Sequence, residues 1–99
     1  STGNLVEEMD LPAKFALHQN YPNPFNPATN LSYSLPQASE VLLQVFDMGG
    51  RNVATLVNAK KAAGRYTISF DMSGYSSGMY ICRIEAGDFV QTRKMMLIK

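Results

Sequence analysis

The chain has 99 residues, 45% hydrophobic and 17% charged, which makes one globular domain around a single economical core and excludes a disordered chain. A net charge of +1 offers no electrostatic footprint for nucleic acid, and no run approaches the roughly 18 apolar residues of a membrane-spanning helix. Cys82 is the only cysteine, so neither an internal disulfide nor a cysteine-based zinc site can be built.

Residues 1–14 contain Glu7, Glu8, Asp10, Gly3 and Pro12 without steady periodicity. They read as a linker or an expression-derived N-terminal segment, leaving 15–99 as the folded domain. No signal peptide is visible, so an exported protein with this sequence is expected to be part of a longer chain. A first short strand is expected at about 15–18. The stretch YPNPFNPATN then places Pro22, Pro24 and Pro27 within six residues. Proline cannot donate to a ladder and pushes its predecessor toward extended geometry, so this is a stiff connector and neither helix nor central strand. A flexible linker has no use for Phe25. The segment Pro22, Asn23, Pro24, Phe25, Asn26, Pro27 is therefore expected to dock on the body of the domain. Phe25 would cap the core, and Asn23 and Asn26 would bond nearby backbone groups.

Beyond it the apolar residues alternate. Leu31, Tyr33 and Leu35, then Val41, Leu43 and Val45, then Tyr66, Ile68 and Phe70, then Tyr80, Cys82 and Ile84 each carry the period-2 signature of a strand. Asp47-Met48-Gly49-Gly50 is a hairpin turn, Asn58 to Gly64 a seven-residue connection, Met72 to Gly78 a longer loop and Ala86-Gly87-Asp88 a short turn. Strands are expected at about 15–18, 29–35, 40–47, 51–57, 65–71, 78–85 and 89–98. This pattern predicts an all-β fold, a seven-stranded antiparallel Ig-like β-sandwich.

Catalytic chemistry finds little to work with. His18 and Cys82 form the one available Cys–His combination, but Cys82 alternates with core residues, where a free thiol is inert. Asp47, Asp71 and Asp88 fall at strand ends and turns, the ordinary place for aspartate; no EF-hand spacing supports a calcium site there. No catalytic residue, cofactor-binding residue or metal ligand is assigned. Tyr75, in the Met72–Gly78 loop, is the one ring expected to stand exposed as a platform for carbohydrate.

Four ordered pieces carry a definite resemblance. They are NYPNPFNPATNLSYSLP, then VLLQVFDMGGRNV with its Asp47–Gly50–Arg51 hairpin, then AGRY, and then SGMYICRIEAGDFVQTRKMMLIK. From Phe15 to Lys99 the sequence resembles the type A C-terminal sorting domains of the type IX secretion system. It departs at Phe70-Asp71-Met72, where that family commonly shows Trp-Asp-Gly, which leaves a core role to a smaller aromatic. The resemblance implies an Ig-like sandwich and a non-enzymatic role: directing export of an upstream cargo across the outer membrane of a Gram-negative bacterium. Proteolytic removal by a sortase-like protease, with a cut within or before residues 1–14, and attachment to the cell surface are implied with it. The implied partners are the secretion machinery, its protease and the cargo domain; the implied location is secreted or cell-surface, by way of the periplasm. Gly78, Tyr80, Arg93, Lys94 and Lys99 are the residues matching its sorting motifs. Gly78 and Tyr80 are expected to serve architecture, and Arg93, Lys94 and Lys99 recognition. The alternative is an accessory Ig-like module of a secreted enzyme, binding carbohydrate or supporting the catalytic domain.

Overall fold

A computed structural model describes residues 11–99; most of the expected 1–14 linker, with Glu7, Glu8 and Asp10, lies outside the described residues. Seven strands follow one another: β1 (Ala16–Leu17), β2 (Ala28–Leu35), β3 (Ser39–Asp47), β4 (Asn52–Lys61), β5 (Gly64–Asp71), β6 (Gly78–Ala86) and β7 (Phe89–Leu97). All neighbouring pairs are antiparallel, in two sheets ordered β1-β2-β5 and β4-β3-β6-β7. Among the described residues there is no helix. The all-β, Ig-like sandwich read from the sequence is the fold observed.

The alternation builds the core directly. Leu31, Tyr33 and Leu35 of β2 face Val41, Leu43 and Val45 of β3 and Tyr80, Cys82, Ile84 and Ala86 of β6, and all are buried. The leucine, valine and isoleucine side chains among them each contribute about 1.5–3 kcal/mol when removed from water, which is what holds the two sheets face to face. Tyr33 stacks on Tyr66 of β5 with ring centroids 5.1 Å apart. Cys82 is fully buried, and burial pushes its thiol up to about 12. A thiol reagent is therefore expected to label Cys82 slowly in the native protein and rapidly in denaturant. Fast native labelling would contradict its place in the core.

β4 departs from the sequence expectation. Alternation ends it near residue 57 and leaves a seven-residue connection from Asn58 to Gly64. The strand instead runs to Lys61, and only Ala62 and Ala63 separate it from β5. Its pairing with β3 slips between Leu43 and Gln44 and again between Val45 and Phe46, leaving Leu56 and Val53 without opposite partners. Each extra residue reverses which side chains face inward, so no period of two survives along the strand.

The other departure concerns the loop from Met72 to Ser77. Met72, standing where the resembling family commonly shows glycine, is fully buried, and its N–H donates to the Pro27 carbonyl at 2.9 Å. Met72 and the half-buried Phe70 thus fill space at this end of the sandwich.

Candidate functional site

The proline segment lies along the outer edge of β7. Lys94, Met96 and Ile98 turn main-chain groups away from β6, and residues 19–25 meet them. Gln19 Nε2 donates to the Lys94 carbonyl at 2.7 Å. Met96 N–H donates to Asn23 Oδ1 and the Phe25 N–H to the Met96 carbonyl, both at 2.9 Å. Ile98 N–H returns a bond to the Phe25 carbonyl, so that Phe25 and Leu97 form a parallel bridge. Prolines alone could not do this. Of the residues between them, Asn23 supplies a side-chain acceptor and Phe25 the N–H donor that Pro22, Pro24 and Pro27 lack. Phe25 is 2% exposed and belongs to the core, while Pro24 and Asn26 stand in solvent. Among the described residues Asn26 makes no bond of the kind Asn23 makes.

Behind the segment is a buried polar pair. Asn20 Nδ2 donates to Thr29 Oγ1 at 2.9 Å and to the Pro22 carbonyl at 3.1 Å; Thr29 Oγ1 donates to the same carbonyl at 2.8 Å. These bonds satisfy the groups that burial takes from water and fix the entry and exit of the turn. Sequence reasoning missed Asn20 and Thr29, as well as Gln19. Polar residues flanking prolines look like ordinary loop, and no spacing rule marks them.

Arg93 is half-buried. Its Nε donates to the Leu17 carbonyl at 2.8 Å, while Gln91 Oε1 accepts the Leu17 N–H at 2.9 Å. Two side chains of β7 thus stand in for a neighbouring strand and latch β1 to the edge of the opposite sheet. The cationic end divides accordingly. Arg93 holds the fold, whereas Lys94 and Lys99 are exposed. Lys99 Nζ donates to the Ser73 carbonyl and its N–H to Ser77 Oγ at 3.0 Å. Among the described residues the ion pairs are Arg51–Asp47 and Arg83–Glu85, so none of these three cations faces a carboxylate.

Gly78 opens β6 opposite Leu97 with φ +149, a backbone that side chains rarely adopt. Tyr80 is buried, with its hydroxyl donating to the Ser76 carbonyl at 2.6 Å. Tyr75 is not the exposed platform expected from the sequence. Its ring packs edge-on against Phe70 and Tyr80, and its hydroxyl donates to the Val53 carbonyl at 3.1 Å. A loop tyrosine carries no periodic signal for this, and the exposed ring is Tyr21, at 79%. The Cys–His combination is also absent. Cys82 is in the core, and His18 Nε2 lies 3.2 Å from Ser34 Oγ.

The Asp47–Arg51 hairpin is held by one carboxylate. Asp47 Oδ1 accepts the N–H groups of Arg51 at 3.0 Å and Gly49 at 2.9 Å, and Arg51 Nε donates to Oδ2 at 3.2 Å. Gly50 supplies the positive φ, +87, that closes the turn. The Arg51 main-chain bond, aided by the Arg51 side chain and the Gly49 N–H, holds the Asp47 carboxyl below the ordinary carboxylate range despite some opposing desolvation. A lowered folded value stabilises the fold above the unfolded value of about 4, and that stabilisation is lost as pH falls through the folded value. Asp47→Asn is therefore expected to be less stable than the parent at pH 7, with the gap closing toward pH 2. Urea melts of both proteins at the two pH values check this; a gap that stays constant contradicts it.

The chain matches the family described as secretion system C-terminal sorting domain over residues 19–99. No match is found among curated proteins or among solved structures.

Proposed function

Because the chain belongs to the secretion-system C-terminal sorting domain family, we propose that it directs export of a cargo domain joined upstream of it. The observation that carries this reading is the family match across almost the whole described sandwich. A type IX sorting signal acts through contact with the secretion machinery, on a route to the outer membrane or cell surface. The surface offered to that machinery is the end of β7 with the proline segment on its edge. Pro24, Asn26, Lys94, Ile98 and Lys99 all face solvent there, on a backbone held in place by the bonds to Asn23 and Phe25. Lys94 and Lys99 are the recognition residues; Gly78, Tyr80 and Arg93 keep them in position. Once the cargo is across, a sortase-like protease removes the domain within or before residues 1–14, and the cargo is released or attached to the surface.

A reporter fused ahead of the chain tests both parts. In a host with a working type IX system the reporter is expected outside the cell, and in a host lacking the system it should remain inside. Retention in both hosts would overturn the export reading. Release of the fusion with the sandwich still attached would overturn removal while leaving export standing.

A further inference from the structure

Strand parity puts Val45 of β3, Tyr80 and Cys82 of β6, and Met95 and Leu97 of β7 in the core. Their neighbours Phe46, Met79, Ile81, Lys94 and Met96 therefore point to the outer face of the four-stranded sheet. The register gathers them. Ile81 lies between Phe46 and Lys94, and Met79 lies beside Met96. Side chains directly opposite on one face reach one another, so Phe46, Ile81, Met79 and Met96 form one apolar block, each member half-buried.

The block is confined to one end of the sheet. It stops at the next row, where Gln44, Arg83 and Thr92 stand opposite one another. Toward the end of the sandwich it continues: Met48 follows Phe46 by two residues and Ile98 follows Met96 by two, and they are 61% and 51% exposed. The outer face of an antiparallel sheet is ordinarily polar, and a contiguous apolar patch on it marks a contact surface. Lys94, exposed beside Ile81, has no ion pair among the described residues. The Asp47 carboxylate nearby in sequence is committed to Arg51 and Gly49.

We propose that this block docks an apolar segment carrying a carboxylate, supplied by the secretion machinery. The inference rests on the export reading and names the chemistry of the partner. Continuity supports it, because the Met96 N–H bonds Asn23 and so joins the block to the proline segment. Charge complementarity supports it as well. A carboxylate brought by the partner pairs with Lys94 while its apolar residues cover Ile81 and the methionines, whose flexible thioethers adapt to an incoming surface. A second copy of the chain fits less well, since the same patch would bring another Lys94 and no uncommitted carboxylate.

Two double variants of the reporter fusion test the surface in a type IX host. Ile81→Thr, Met96→Thr keeps strand-compatible residues and every main-chain bond of Met96. Met48→Ser, Ile98→Ser alters only side chains already about half exposed or more, and it decides the matter should the first pair fail to fold. Each variant that keeps a cooperative melt is expected to be exported several-fold less than the parent. Parent-level export of a folded variant overturns the proposal while the export reading stands; retention of the parent itself overturns both. A photo-crosslinking phenylalanine analogue placed at Met48 then identifies the occupant by mass spectrometry. The expected product is a peptide of a type IX component with apolar residues beside Asp or Glu, its yield falling several-fold with Lys94→Glu. An undiminished yield overturns the proposal. So does a crosslink to residues 1–10 of the same chain, to a second copy, to the cargo or to lipid.

Discussion

Phe25→Ala is expected to lower the stability of the domain by about 3 kcal/mol, near the lower end for a buried aromatic. The ring is 2% exposed and sits in the core beside Leu97. Alanine removes its burial and leaves a space that the neighbouring prolines, fixed in φ, cannot collapse to fill. The main-chain bonds to Met96 and Ile98 need no side chain, so the edge contact itself is not deleted. Asn23→Ala separates the two contributions. It removes the acceptor of the Met96 N–H at an exposed position, where water can replace it, and should cost only about 0.5–1 kcal/mol. Urea melts of both variants measure the difference. A Phe25→Ala effect below about 0.5 kcal/mol would mean that the ring does not fill the core.

The physical reason Phe25 was legible in the sequence is that a large apolar side chain between prolines has no purpose in solvent. The identity of its partners was not legible, because Met96, Leu97 and Ile98 lie some seventy residues away and no local pattern links the two segments. The same division runs through the fold. β2, β3 and β6 show their faces through plain alternation, whereas β4 loses its signature to the extra residues Val53 and Leu56. Arg93 is instructive because the sequence did contain a signal for it. It shares its parity with the buried Met95 and Leu97, so a strand running through all three turns Arg93 inward. Charge suggested recognition, while parity pointed to the latch on Leu17 that the structure shows. Lys94 has the opposite parity and stands exposed.

That parity decides how the tail can be tested. Deleting Lys94 to Lys99 is expected to destroy the fold. The deletion removes Met95 and Leu97, each at most 1% exposed, together with the ladder to Gly78, Met79 and Tyr80 and the bridge that seats Phe25. Loss of two such side chains costs about 4–10 kcal/mol against a total stability of about 5–15 kcal/mol. A cooperative melt should therefore disappear, and failed export of that variant would report only unfolding. The informative variant is the double substitution Lys94→Gln, Lys99→Gln. Both side chains lie in solvent and neither has an ion-pair partner among the described residues, so the melting midpoint should hardly move. Glutamine also keeps a donor for the Ser73 carbonyl. If the machinery reads the cations at this end, a reporter carrying the folded double variant should be exported several-fold less than the parent. Undiminished export with an intact melt would show that these charges are not read, leaving the proline segment and the shape of the sandwich end as the features recognised.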